Sequence, residues 1–318
     1  TPPADGFLKP EQLNDPETYY PLSVLRCDSC MLVQLSYVVD PEILYQRDYP
    51  YESSVTRTGG THFDAFAEHA ISSFGFGENS LVVDVGSNVG VLLSGFKTRG
   101  YRVLGIEPAD NIAKIAEENR IPTVNEFFNP RLARNLVPEH GRAKIITASN
   151  VFAHMDDLES VMQAVDILLD SDGVFIIEAP YLVNMLDRLE YDTIYHEHLS
   201  YLSLIPLIPF FQKCGMELFD VLQSDIHGGS MRMFVARKGQ HEISEAVQES
   251  LAIEKAREIH SLDFLSSFAV KVSAHRDELG MLLKSLKRDG KRIAGVSAPA
   301  KGMTLLNYCK IGDETLEF

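Results

Sequence analysis

An α/β fold is predicted by three features of the sequence. Short runs dense in β-branched residues and Leu alternate with amphipathic helical patterns, as in a parallel sheet covered on both faces. The first of these runs ends in a glycine-spaced turn that opens a helix. The series closes on two strands too near each other for a crossover, hence an antiparallel pair. A small loop-rich cap precedes this unit, and the start of a second α/β unit follows it.

The cap spans residues 1–57, rich in Pro, Tyr and Asp with short apolar pieces such as 31–35. It carries Cys27 and Cys30. A lone CxxC is ambiguous, because zinc normally takes four ligands, redox motifs share the spacing, and two ordinary buried thiols fit as well. The central domain spans 58–240. Its candidate strands are 81–85, 101–106, 121–124, 144–148 and 173–178, then 216–222 and 231–237 joined by the turn 224–230. Helices fall between them at 88–99, ending at Gly100, after Asp110 as an N-cap, and at 157–169. The last shows Leu158, Val161, Met162, Val165 and Leu168 on one face. Residues 241–318 begin with a continuous helical pattern over 243–289, followed by a strand at Arg292–Val296 and the turn 297–302. Both ends of the sequence read as cut within flanking domains.

Composition excludes some partners. Among 318 residues, 45% are hydrophobic and 23% charged, and the formal charge of −16 opposes a nucleic-acid surface, which needs clustered Lys and Arg. No apolar run reaches a membrane span; the most apolar stretch, 199–211, is interrupted by Pro206 and Pro209. There is no secretory signal, and four cysteines in a chain this long make no disulfide framework, so a cytoplasmic setting is expected. The expected oligomeric state is a monomer or weak homo-oligomer.

Two constellations carry chemistry. Residues 84–90, Asp84-Val-Gly86-Ser87-Asn88-Val-Gly90, close the first strand of the central domain with a GxxxG spacing. That is neither a dinucleotide fingerprint nor a triphosphate loop, and no Lys follows. Glu107 closes the next strand, where a carboxylate accepts hydrogen bonds from ribose hydroxyls. An acidic loop without a phosphate-binding lysine suits a cationic, phosphate-free ligand, and S-adenosylmethionine is one. Pro108, Phe127 and Asn150, after the neighbouring strands, complete the candidate cofactor set. The second constellation is Tyr195-His196-Glu197-His198, within a ten-residue stretch that also holds Tyr201. His titrates near neutrality, and its neighbours tune or orient it, which is the inventory of a proton-transfer site. A polar turn with an idle His pair is the bland alternative.

At this point the chain closely resembles the sugar C-methyltransferases, which methylate a carbon of a nucleotide-linked 4-keto deoxysugar. The resemblance rests on PPADGFL (2–8), RCDSCMLVQLSYVV (26–39), YPYESS (49–54), DVGSNVG (84–90) and SNVFAHMDD (149–157). It also rests on YHEHLSYLS (195–203), HGGSMRMF (227–234) and GVSAPAKGMTLLNYC (295–309). It implies a class I Rossmann-like methyltransferase sheet, an N-terminal zinc-ribbon-like domain and a C-terminal Rossmann-like domain around the sugar nucleotide. Two departures stand out: Val89 replaces the family's usual Asp, and the family's second, upstream CxxC is not in this sequence, so Cys27 and Cys30 are half a zinc site. S-adenosylmethionine is the expected cofactor, with zinc structural in the family and in doubt here. A chain cut this way is expected to bind S-adenosylmethionine but to handle the sugar nucleotide poorly.

Carbon methylation needs a carbanion or enolate, so a base must take a proton from the carbon next to the ketone, expected at C3. His198 is the first candidate, with Glu197 orienting it and Tyr195 bonding the keto oxygen or sharing the base role. His154 is the second candidate base, or a loop-capping histidine. His196 is expected to be structural. The resemblance places Tyr49, Tyr51, His227, Ser230 and Lys301 around the sugar nucleotide, with Lys301 meeting the diphosphate or, on the plain reading, solvent. Two other functions use the same residues: methyl transfer to an O- or N-nucleophile of a small metabolite, or a non-catalytic zinc-ribbon module with a degenerate cofactor domain.

Overall fold

In the computed structural model, which describes residues 1–46, 49–53, 57–297 and 299–317, the cap contributes β1 (Val24–Arg26), β2 (Val33–Leu35) and α1 (Pro41–Tyr45). Helix α2 (Arg57–Phe74) leads into β3 (Leu81–Val85), α3 (Val91–Lys97), β4 (Arg102–Ile106), α4 (Asp110–Glu118) and β5 (Thr123–Val124). Then come α5 (Pro130–His140), β6 (Ala143–Ser149), α6 (Leu158–Leu168), β7 (Leu169–Pro180) and α7 (Leu182–Asp187). The chain continues through β8 (Ser200–Tyr201), α8 (Leu204–Lys213), β9 (Met216–Ser224), β10 (Ser230–Arg237), α9 (Glu245–Ala256), α10 (Leu262–Arg288) and α11 (Ala300–Cys309).

Seven strands form one sheet in the order β5-β4-β3-β6-β7-β10-β9. From β5 to β7 all pairings are parallel, and β10 runs antiparallel between β7 and β9. Every residue of β3 is buried, because helices cover both faces. Val83, Ile146 and Phe175 pack with α5, α6 and α8 on one face; Val82, Ile145 and Val174 pack with Phe66 of α2 and Phe96 of α3 on the other. This order puts the carboxyl ends of β3, β4 and β6 side by side, where ligands bind in open α/β sheets.

The cap is not a separate appendage. Its sheet is β1-β2-β8, and β8 comes from the segment just after His198, with Gln34 opposite Ser200 and Val33 opposite Tyr201. The candidate proton-transfer segment is thereby held between cap and central sheet.

Three local expectations are corrected. The helical pattern over 243–289 is two helices: Glu258 adopts φ 50° at the break, and the Ser261 hydroxyl starts α10 by accepting the Phe264 N–H. Residues 292–296 form no strand. Val296 is 92% exposed, the Ile293 carbonyl accepts the Glu317 N–H, and among the described residues no strand pairs with this backbone. Asp110 is the first residue inside α4 rather than its N-cap, which is Ala109. Among the described residues, no helix is long and apolar enough to cross a membrane.

Candidate active site

The loop after β3 is shaped by packing. Gly86 has φ +67°, and a Cβ there would lie 2.6 Å from the Val151 side chain, so only glycine lets the turn pass under the loop after β6. Gly90 is the N-cap of α3. Asp84 is buried and accepts the Thr147 hydroxyl at 2.6 Å; burial pushes its carboxyl up to about 7, with Glu107 adding like charge. The Glu107 carboxylate accepts the Asn88 and Ala109 N–H groups, each at 2.9 Å, which ties the two loops together. Burial raises its pKa and those two N–H groups oppose the rise.

Among the described residues the buried Ser87 hydroxyl has no hydrogen-bond partner, so the loop keeps a polar group in reserve. A cavity of about 240 Å³ opens past the end of β4, walled by Pro108 and Phe127 with Asp110, Asn125 and Arg131 on its polar side. Apolar walls with polar groups beside them fit an adenosine-like group. Asn150 lies at the end of β6 in a left-handed conformation, φ 56°, its N–H given to the Glu178 carbonyl. Val89 points away from the cavity into an apolar cluster with Ala109 and Ile112.

A strap from the cap crosses this loop. Asn88 accepts the Ser53 N–H at 2.9 Å and donates to the Tyr51 carbonyl at 3.0 Å; Asn111 exchanges hydrogen bonds with the Tyr49 backbone in the same way. Tyr49 thereby aims its hydroxyl at Glu197 Oε2, 3.0 Å away. Tyr51 contributes its carbonyl, while its ring is half exposed.

Beyond the strap lies Tyr195-His196-Glu197-His198. The His198 Nδ1 is 2.8 Å from the Thr193 carbonyl and 3.1 Å from its hydroxyl. A carbonyl only accepts, so Nδ1 carries the proton, and in the neutral ring the lone pair sits at Nε2. The Tyr195 hydroxyl, 2.8 Å from Nε2, donates to it. Burial, and then the Glu197 charge, raise the Tyr195 phenol well above its ordinary value, so it stays protonated. The His154 ring lies 5.0 Å from that of His198 and stacks against Tyr45 on its other side. Burial alone lowers His154 to about 4. His196 turns the other way, buried against the edge of Tyr20 in the cap.

Glu197 is 5% exposed and shares a side-chain hydrogen bond with Asp5. Burial first, then the Asp5 charge, push its carboxyl up to about 8, against the Tyr49 hydroxyl, which lowers it. Asp5 is likewise raised by burial. Asp5 and Tyr45 were not legible in the sequence: Asp5 stands in the PPADGFL stretch with nothing in its spacing to mark it, and Tyr45 reaches His154 only through the fold.

The Glu197 shift has a measurable consequence. Its folded value lies above the 4.5 of the free group, so the stability it contributes is full below about pH 4.5 and is lost as pH rises through 8. Glu197→Gln is therefore expected to gain thermal stability relative to the parent chain between about pH 5 and pH 9. A melting-temperature difference that stays constant over that interval would show that the carboxyl titrates normally.

Several expected site residues lie elsewhere. Ser230 is fully buried, and its hydroxyl donates to the Ile226 carbonyl at 3.1 Å, closing the β9–β10 turn instead of facing a ligand. The side chain of His227 lies outside the described residues. Lys301, on α11, stands 3.8 Å from Glu190. Cys27 and Cys30 sit in the turn between β1 and β2, and among the described residues no third His, Cys, Asp or Glu joins them. Two thiolates do not close a tetrahedral zinc site, so the residues present do not fit the metal.

Three family models match the chain. Residues 60–221 match the family described as "Methyltransferase domain", 225–318 that described as "C-methyltransferase C-terminal domain", and 1–45 that described as "Putative zinc binding domain". The chain is 35% identical over 319 residues to the C-methyltransferase NovU of Streptomyces niveus, an alignment covering 100% of this chain and 76% of that protein. Among solved structures, the magnesium protoporphyrin IX methyltransferase ChlM from Synechocystis PCC 6803 with bound SAH aligns with a TM-score of 0.45 and 13% identity, over 59% of this chain and 90% of that one. An S-adenosylmethionine-dependent methyltransferase from Clostridium acetobutylicum ATCC 824 aligns with a TM-score of 0.46 and 12% identity, over 56% and 92%.

Proposed function

Since the chain belongs to the family of S-adenosylmethionine-dependent C-methyltransferases, we propose that it deprotonates the carbon next to the ketone of a nucleotide-linked 4-keto deoxysugar, at C3, and methylates the resulting enolate. Family membership sets aside the O- or N-acceptor and the non-catalytic module. S-adenosylmethionine supplies the electrophilic methyl group. In this reading the residues that would hold it are Asp84, Gly86, Ser87, Asn88, Gly90 and Glu107, with Pro108, Phe127 and Asn150.

The observation that carries the proposal is the orientation of His198. With Nδ1–H given to the Thr193 carbonyl, the ring presents a basic Nε2 to the site, and that nitrogen takes the proton from the substrate carbon. The Tyr195 hydroxyl, which caps Nε2 in this structure, moves onto the keto oxygen and stabilises the charge that develops there. Glu197, kept in its place by Tyr49, anchors the segment that carries both. His154 is assigned a supporting role: a ring lowered to about 4 is a weak base and serves as a neutral wall behind His198. Tyr49 and Tyr51 line the acceptor side in this reading, and the unpaired thiols fit a reducing cytoplasm.

Deuterium incorporation tests the reading. A keto-sugar nucleotide incubated with the protein in heavy water, without methyl donor, is expected to acquire deuterium at the ring carbon next to the ketone. No exchange, together with no methylated carbon once donor is added, would refute it.

A further inference from the structure

We infer that the Glu190–Thr193 turn is a positioning element for His198, with Tyr191 as the pivot on which the two C-terminal helices seat. The inference rests on the reading of His198 as base, because a coupling to that ring matters for turnover only if the ring moves the proton.

The turn is short and closed on itself. Thr193 donates its N–H to the Glu190 carbonyl at 3.2 Å, and Ile194 donates to that of Tyr191 at 3.0 Å. Thr193 is buried, 2% exposed, and its carbonyl is the group that orients the His198 ring. Two positions earlier, the Tyr191 hydroxyl lies 2.9 Å from His275 Nδ1 on α10 and 3.7 Å from Cys309 Sγ on α11. The Tyr191 ring also meets Tyr308 of α11 edge-on at 5.4 Å. One side chain thus receives both C-terminal helices, and its backbone neighbour holds the base.

The same turn is clamped from the β9–β10 side. Arg188 donates to the Gly228 carbonyl at 2.6 Å, and Gly228 lies so close to Glu190 that a Cβ would fall 2.0 Å from its carboxylate. Glu190 in turn faces Lys301 at 3.8 Å. The two conspicuous stretches near the acceptor side, 227–230 and 299–302, therefore both bear on Glu190–Thr193. A shift of α10 or α11 is carried through Tyr191 to the Thr193 carbonyl, and from there to the direction of Nε2. Misplacing a reacting group by about 1 Å costs as much as 10²-fold, so a modest tilt of the ring is enough to matter.

Tyr191→Phe removes the hydroxyl that meets α10 and α11, and His275→Ala removes one of its partners without touching the turn. Each is compared with the parent chain by the 15N shifts of the His198 ring nitrogens, which report the tautomer, with the signal assigned by its loss in His198→Asn. Expected are a fall in the Nδ1–H tautomer and a drop in kcat on the order of 10-fold, with S-adenosylmethionine affinity unchanged. His198 shifts identical to the parent chain in both variants would overturn the proposal, even if melting temperature falls, because that is what a merely structural tyrosine does. Should Tyr191→Phe fail to fold, His275→Ala decides alone. If the ring signal moves but His198→Asn still exchanges deuterium, the coupling stands and the assignment of the base fails.

Discussion

Replacing His198 by Asn is expected to lower turnover by about 10²–10⁴-fold, the usual worth of a positioned general base, while leaving S-adenosylmethionine affinity unchanged. Asn keeps the size and a donor for the Thr193 carbonyl, so the turn survives and the missing basic nitrogen accounts for the loss. Deuterium exchange at the acceptor carbon should fall in parallel, because the base acts before the methyl group moves. Tyr195→Phe removes only the hydroxyl that meets Nε2, so it should cost less if that hydroxyl supports the enolate and as much if it shares the proton. Near-normal turnover in His198→Asn beside a dead His154→Asn would transfer the base role to His154.

Removing the Glu178 carboxylate should have the largest effect on stability, a loss of about 3–5 kcal/mol in Glu178→Ala. Glu178 is fully buried on β7 and accepts His62 Nε2 at 2.6 Å, Arg232 Nε at 3.0 Å and Arg232 Nη2 at 2.7 Å. Burial alone pushes its carboxyl up, but the hydrogen bond from His62 and the charge of Arg232 hold it below the usual range. Arg232, on β10, is 5% exposed and lies over the Phe66 ring of α2 at 3.6 Å. Without Glu178, that guanidinium is a buried charge with its acceptor gone, and three elements lose their common tie. Urea denaturation of the two proteins measures the difference, and a loss below about 1 kcal/mol would mean that Arg232 finds solvent or another acceptor. Glu178→Gln should recover part of it, since an amide oxygen still accepts one donor.

Much of the fold was legible because it is written in local pattern. The runs 81–85, 144–148 and 173–178 are dense in β-branched and other apolar residues because both of their faces are covered, and that composition is visible without knowing which strands are neighbours. The turn at 84–90 was equally visible, since its glycines answer to the close approach of Val151 and Ile121. The helix break at 257–261 was not, because an apolar pattern continues across it and nothing there is a strong breaker; a single left-handed Glu258 decides it. Nor was the absence of a strand at 292–296, where β-branched residues express a propensity that only a neighbouring strand realises.

By itself the sequence determined the α/β class, the cofactor turn and the identity of the groups available for proton transfer, because periodicity, glycine spacing and side-chain chemistry are properties of a segment and its near neighbours. Which of those groups face one another was decided by tertiary structure alone. The cap strand β2 pairs with β8 across more than 160 positions, and so brings Tyr45, Tyr49 and Asp5 to Glu197. The turn at 190–193 fixes which nitrogen of His198 is basic. Ser230, by the same logic, is spent on its own turn. A hydrogen bond is a matter of two or three ångströms and an angle, and only the folded chain sets those between residues so far apart in sequence.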